Sequence, residues 1–368
     1  MKVNIAKFCI PFFAVSLLAG CKDWVTPEAE IHDASLTEIV RDDAYYEALR
    51  AYKKSDHAVS FGWYSEWGEG NSSTVNMLQA VPDSMDIISL WNNANLTPTK
   101  AADLKFVREV KGTKVVICSF IARIGCMFSP AELYEKEESE MEAYWGWKDG
   151  DDEAIHESIK KWTKVVVDSL RINGFDGIDI DYEPGEYGGK LCRNDKYYTW
   201  FVEEMGKYIG PQSGTENIFI LDGYITSGPN PSLGKYFDYF VSQAYMDSAF
   251  GLNGRLASGC CAYAETYSEE EFTNRFIVTE NLESAMDCLA GGYTWCDSQG
   301  RYWKREIMPS LVGFADWKPS NGFRKGGFGG YRFSNERVNN PRFKWMRKAI
   351  QQQNPAPGKE IITDEDFK

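Results

Sequence analysis

The chain has 368 residues, 43% of them hydrophobic and 26% charged, which is the composition of an ordinary globular protein with enough apolar material for a large core. Its formal charge of −14 argues against nucleic acid as a partner, because an acidic body repels a polyanion. The three histidines, His32, His57 and His156, lie near no Ser or Cys nucleophile pattern, which argues against serine or cysteine hydrolases and most transition-metal sites.

At the N-terminus, Lys2 and Lys7 flank the start of an apolar stretch from Phe8 to Leu18, followed by Ala19 and Gly20. This is a signal peptide in outline and too short to span a bilayer. Leu18-Ala19-Gly20-Cys21 resembles a bacterial lipobox, which implies cleavage before Cys21 and lipidation of that residue. A membrane partner through the lipid anchor would follow. Lys22-Asp23 loosely resembles the surface-export signal of Bacteroidetes lipoproteins, so the expected location is the cell outer membrane, surface-exposed. Loss of Lys2 and Lys7, with no acidic residue, moves the mature charge from −14 to −16. Cys9 would leave with the signal. Of the seven cysteines remaining beside Cys21, Cys118 sits in an apolar strand, whereas Cys126, Cys192, Cys260, Cys261, Cys288 and Cys296 lie where disulfides could form in an oxidising compartment.

Residues 21–54 are polar and helix-prone, with Tyr45, Leu49 and Tyr52 on one helical face, and read as a tether followed by a helix. A rhythm of short apolar strands then begins: Ala58 to Trp63, Asp86 to Trp91, Lys114 to Phe120, Phe175 to Glu183, Ile218 to Tyr224, Phe237 to Tyr245, Arg275 to Glu280 and Gly327 to Phe333. Helical patterns separate most of them. The clearest is the stripe Ile155, Ile159, Trp162, Val166 and Leu170, which ends at a left-handed stop signal, Asn173-Gly174. Strands alternating with helices fit a parallel α/β architecture over residues 55–353, followed by an extended tail over 354–368. Periodicity alone does not separate a closed barrel from an open sheet. Two insertions, Ala122 to Asp152 and Asp247 to Glu271, carry charge runs, glycines and Trp145 and Trp147, which read equally as lid or core.

The most informative run is Gly174-Phe-Asp-Gly-Ile-Asp-Ile-Asp-Tyr-Glu-Pro184. Strand alternation puts Asp179, Asp181 and Glu183 on one face, with Ile178, Ile180 and Tyr182 on the other. Carboxylates crowded in a low-dielectric site cannot all stay ionised, so at least one pKa must rise, and that is how a general acid is made. A metal site and a solvated edge strand are the competing readings. The interleaved Ile and Phe favour a buried strand over either.

Asp176-x-x-Asp179-x-Asp181-x-Glu183 resembles the DxxDxDxE signature of glycoside hydrolase family 18, which includes chitinases and endo-β-N-acetylglucosaminidases. The resemblance implies a single (β/α)8 TIM barrel with this segment as its fourth strand. It also implies a retaining, substrate-assisted mechanism in which the sugar's N-acetyl oxygen attacks the anomeric carbon. Glu183 would be the general acid/base and Asp181 the residue that orients the acetamide. Asp179 would hydrogen-bond Asp181 and share its proton, and Asp176 would be structural. No cofactor or metal is implied.

Barrel enzymes place their sites at the carboxyl ends of the strands. The candidate substrate-binding residues there are Trp63, Trp91, Asn92, Tyr224, Gln243, Tyr245, Glu280 and Tyr331, a mostly aromatic set suited to stacking on a carbohydrate. Chitinases of the family commonly show Met-x-Tyr-Asp where this chain has Gln243-Ala-Tyr245, and a Gln-x-Tyr pair is similar to that of family endo-β-N-acetylglucosaminidases. Both side chains would then hold the N-acetyl group in a near-attack geometry. The expected substrate is an N-acetylglucosamine-containing glycan or glycoprotein cut in its chitobiose core, with outer-membrane glycan-uptake proteins as further partners. A chitinase and a catalytically inactive surface glycan-binding barrel are the alternatives. Gln243 speaks against the first, and retention of Asp181 and Glu183 against the second.

Overall fold

The computed structural model describes residues 41–68, 76–91, 96–185, 188–227, 230–356 and 361–367. The expected signal segment, Cys21 and Asn92 lie outside the described residues. The chain divides into two compact units, Met1–Tyr45 and Tyr46–Lys368, and the second holds the whole barrel.

Eight parallel strands close on themselves: β1 (Val59–Tyr64), β2 (Ile87–Trp91), β3 (Lys114–Phe120), β4 (Gly177–Tyr182), β5 (Ile218–Gly223), β6 (Tyr239–Gln243), β7 (Phe276–Asn281) and β8 (Gly327–Tyr331). Each pairs with the next, and β1 pairs with β8 from Val59↔Gly327 to Gly62↔Gly330. The helices in chain order are α1 (Asp43–Lys54), α2 (Pro98–Lys105), α3 (Glu138–Trp145), α4 (Asp152–Asn173), α5 (Asp195–Met205), α6 (Ala249–Ala262), α7 (Glu269–Thr273), α8 (Ala285–Ala290), α9 (Ser310–Asp316) and α10 (Lys344–Gln353). The fold is the (β/α)8 TIM barrel that the resemblance implies. Among the described residues, no helix is long and apolar enough to cross a membrane.

Strand alternation splits the apolar residues into two layers. Phe61, Trp63, Ile87, Val116, Cys118, Ile220, Val241 and Ile277 fill the barrel interior. Ile178, Ile180, Phe219, Leu221 and Val278 face outward, into the larger layer shared with the helices. Burial of each aliphatic side chain contributes about 1.5–3 kcal/mol. α4 presents its predicted stripe, Ile155, Ile159, Trp162, Val166 and Leu170, wholly to that outer layer. Asp151 caps its start by accepting from the Ala154 N–H, and Gly174 ends it at φ 76°. β4, the carboxylate strand, begins three residues later.

Two expectations change, for the tail and the cysteines, and the open reading of Trp145 and Trp147 is settled. The tail packs back instead of extending, with Ile362 N donating to Gln352 Oε1 at 2.8 Å and the Phe367 ring 5.1 Å from Trp303. Trp145 and Trp147 are core, 3% and 5% exposed, because the insertion's helix α3 folds them against α4. All seven cysteines from Cys118 to Cys296 are free thiols.

Candidate active site

β4 carries its acids at graded depth. At the strand entrance Asp176 receives a bidentate clamp from Arg108, Nε to Oδ2 at 2.7 Å and Nη2 to Oδ1 at 2.8 Å, and accepts from Val115 N at 2.9 Å. It ties β3 to β4 at the end of the barrel away from the other acids. Next up the strand, Asp179 is completely buried inside the barrel, where its Oδ2 accepts from Trp63 Nε1 at 2.9 Å and Ser89 Oγ at 2.7 Å. Asp181 is 3% exposed. Glu183 lies one residue past the strand end, half-buried, and its charge acts on Asp181.

The sequence reading missed a fourth acid in this cluster. Asp222 on β5 lies in register with Asp181 and is completely buried, and one of its oxygens lies within 4.8 Å of an oxygen of Asp179. The relay expected between Asp179 and Asp181 thus gains a third carboxyl beside it, and the charge of Asp179 bears on Asp181. Alternation along β5 carried the signal, since Ile218, Ile220 and Asp222 share the inward face.

The electrostatics follow from depth. Burial, with the charges of Glu183 and Asp179 adding to it, pushes Asp181 up to about 7, while hydrogen bonds from Asp222 and Gln243 oppose the rise. Burial also raises Asp179, against the pull of Ser89, Asp222 and Trp63. Burial and the charges of Asp179 and Asp181 together hold Asp222 well above the carboxylate range. Cys118 Sγ and one oxygen each of Asp179 and Asp222 lie within 4.8 Å of one another, three donors that a divalent cation could use.

Gln243 closes the cluster from β6, its Nε2 lying 3.4 Å from Asp181 Oδ1 and 3.3 Å from Asp222 Oδ1. Tyr245, half-buried two residues on, stacks on Tyr331 at 6.0 Å with 30° between the rings. Tyr331 also meets the edge of Trp91, 6.1 Å away, so these three rings form an aromatic wall at the strand ends. Burial raises the Tyr245 hydroxyl well above its usual range, so it donates as a neutral phenol.

Two expected sugar contacts, Trp63 and Glu280, are placed elsewhere, and a third, Tyr224, is exposed at the rim. Trp63 is 1% exposed and spends its N–H on Asp179, which makes it part of the floor and not a platform. Glu280 is completely buried: Ile277 points inward, so parity sends Glu280 outward, where its Oε1 accepts from Met246 N at 3.0 Å and Asn281 N at 2.7 Å. It acts as a clamp behind the wall, fixing Met246 at φ 61° directly after Tyr245. Tyr224 follows Gly223, whose φ of 81° turns the chain off the strand. Its ring is 51% exposed beside a rim hollow of about 450 Å³ that Tyr182, Pro184 and Arg193 also line.

Similarity to known proteins agrees with this arrangement. The family description "Glycoside hydrolase family 18, BT1044-like" matches residues 27–352. Endo-beta-N-acetylglucosaminidase F2 of Elizabethkingia meningoseptica is 26% identical over 302 residues, 77% of this chain and 75% of its own. The solved structure of a selenomethionine-labelled variant of BT1044 superposes with a TM-score of 0.71 at 25% identity, covering 87% of this chain and 95% of that one. An endo-beta-N-acetylglucosaminidase of Cordyceps militaris shares the fold, with a TM-score of 0.61 at 20% identity over 86% and 97% of the two chains. The family description spans residues 27–352, well over half of the chain, and the chain belongs to glycoside hydrolase family 18.

Proposed function

We propose that this glycoside hydrolase is an endo-β-N-acetylglucosaminidase that cuts the β-1,4 bond in the chitobiose core of N-linked glycans. The observation that carries the reading is the juxtaposition of Asp181 and Gln243 at the barrel mouth, beside Glu183 and the aromatic wall of Tyr245, Tyr331 and Trp91. Similarity to endo-beta-N-acetylglucosaminidase F2 supports it.

In this reading Glu183 protonates the glycosidic oxygen while the acetamide oxygen of the sugar attacks the anomeric carbon. An oxazolinium ion forms, with its positive charge beside Asp181. Asp181, poised near neutrality by burial, accepts from the acetamide N–H and stabilises that charge. Gln243 and Tyr245 fix the acetamide so that attack is nearly intramolecular in entropy. Water activated by Glu183 then opens the oxazolinium with retained configuration. The lipobox-like Leu18-Ala19-Gly20-Cys21 supports placing this activity on a lipid anchor at the cell outer membrane.

The test is to incubate the soluble body with a glycoprotein bearing N-glycans and, separately, with chitin oligomers. Release of glycan that leaves one N-acetylglucosamine on the protein is the expected result. Cleavage of chitin alone would replace the reading with a chitinase, and binding without release would replace it with a glycan-binding protein.

A further inference from the structure

Two carboxyl oxygens in this cluster, Asp179 Oδ1 and Asp222 Oδ2, are buried with no N–H or hydroxyl donor among the described residues. Their parent residues are both completely buried, and one oxygen of each carboxyl lies within 4.8 Å of one of the other. Two ionised carboxylates are acceptors only and repel one another at that range, so the pair is satisfied only when one of them carries a proton. An unneutralised pair in such surroundings would cost several kcal/mol per ion.

The surrounding donors decide which acid keeps the proton. Asp179 Oδ2 accepts two short bonds, from the Trp63 indole and the Ser89 hydroxyl, which stabilise a negative charge there. Among the described residues the one N–H donor to Asp222 is the Gln243 amide, at 3.3 Å and shared with Asp181. The titratable groups facing Asp222 are Cys118 on β3, Asp179 and Asp181 on β4, Tyr245 on β6 and Tyr198 on α5, none of them a cation.

We propose that Asp222 is a third carboxyl of the catalytic cluster, a positioning residue that keeps its proton through turnover and donates it as a hydrogen bond to Asp179. Asp179 is thereby satisfied from β5 as well as from β1 and β2, and Asp181 is left free to turn to the acetamide. No proton leaves Asp222 in any step; the bond is Oδ2–H on Asp222 to Oδ1 on Asp179. The protonation claim stands on the cluster alone, whereas the service to Asp181 rests on the proposed endoglycosidase reading. A cation held by Cys118, Asp179 and Asp222 is the competing way to neutralise the pair.

The experiment has a spectroscopic arm and a kinetic arm, both on the purified soluble body. Metal analysis comes first, and a stoichiometric bound cation would overturn the proposal. Infrared difference spectra at pH 9 should then show a protonated-carboxyl band in the wild type and in Asp181→Asn, and no such band in Asp222→Asn. A wild type without the band, its loss in Asp181→Asn, or its persistence in a folded Asp222→Asn would each show that the proton is absent or resides elsewhere. In the kinetic arm, Asp222→Ala should lose about tenfold or more in kcat with KM changed less than about threefold. Asp222→Asn, a permanent neutral donor of the same shape, should restore most of that loss. A ruinous Asp222→Asn beside a mild Asp222→Ala would mean that Asp222 works as a charge, and the proposal would fall. If the wild type cleaves no glycoside, the endoglycosidase reading fails while the infrared arm still decides where the proton is.

Discussion

Trp63 and Asp179, 116 residues apart in the chain, meet inside the barrel with the indole N–H 2.9 Å from the carboxylate. A hydrogen bond to a buried charged group contributes about 1.5–3 kcal/mol. Trp63→Phe keeps most of the ring and removes the donor, so stability should fall by about that amount in a urea titration. kcat should fall with it, because Asp179 would draw closer to protonation. An unchanged urea midpoint would show the bond to be idle.

Glu183→Gln removes the acidic proton and keeps the shape. Turnover of a glycopeptide should be abolished, and binding of the same glycan, followed by calorimetry, should persist. Near-normal kcat in this variant would take Glu183 out of the acid role.

Asp181 shows the conflict between stability and function. Its pKa rises from 3.8 unfolded to about 7 folded, so between those values the folded state binds more protons than the unfolded one. That contribution to stability is present in full below the unfolded pKa and is lost as pH rises through about 7. Asp181→Asn should therefore be more stable than wild type at pH 8, lose much of that advantage at pH 4, and be crippled as a catalyst. Thermal melts at the two pH values check the sign, and equal shifts at both would contradict it.

Glu280→Ala removes the acceptor of the part-buried Met246 and Asn281 N–H groups, at about 0.5–1.5 kcal/mol for each. Met246 would also be released from its left-handed conformation, letting Tyr245 wander from Tyr331. A raised KM with a smaller change in kcat is expected, since Glu280 would be supporting the binding wall and not the proton transfer.

Gly223→Ala should be poorly tolerated, for a Cβ there would lie 2.7 Å from Tyr182 O and 3.1 Å from Asp181 Oδ1, at φ 81°. A left-handed alanine alone costs about 1–2 kcal/mol. Loss of both stability and activity, read from unfolding and kinetic assays, is the expected pair of effects.

The eight strands were legible because each is a short apolar run bounded by turn residues, and β3 has the same limits in sequence and structure. Asp176, Asp179, Asp181 and Glu183 were legible as a set because alternation on one strand needs no tertiary knowledge. Asp222 was not, because a single acid within the apolar strand Ile218 to Tyr224 makes no pattern of its own, and only the β4–β5 register sets it opposite Asp181. Trp63 was misplaced because the stagger of a barrel decides whether a strand-end ring lies at the rim or on the floor. Glu280 was misplaced because β7 runs one residue further, to Asn281, than its apolar stretch suggests.

The inner apolar layer has a consequence for proton traffic. Phe61, Val116, Ile220, Val241 and Ile277, all inaccessible to solvent, sit between the acid cluster and the Arg108–Asp176 clamp at the other end of the barrel. The cluster is thus a well sealed at its base, and protons reach it only from the mouth. A sugar seated in that mouth acts as a stopper, so the number of protons shared by Asp179, Asp181 and Asp222 is set when substrate binds and held until product leaves. The pH dependence of kcat then reports the bound well as a single titrating body, and that of kcat/KM the open one.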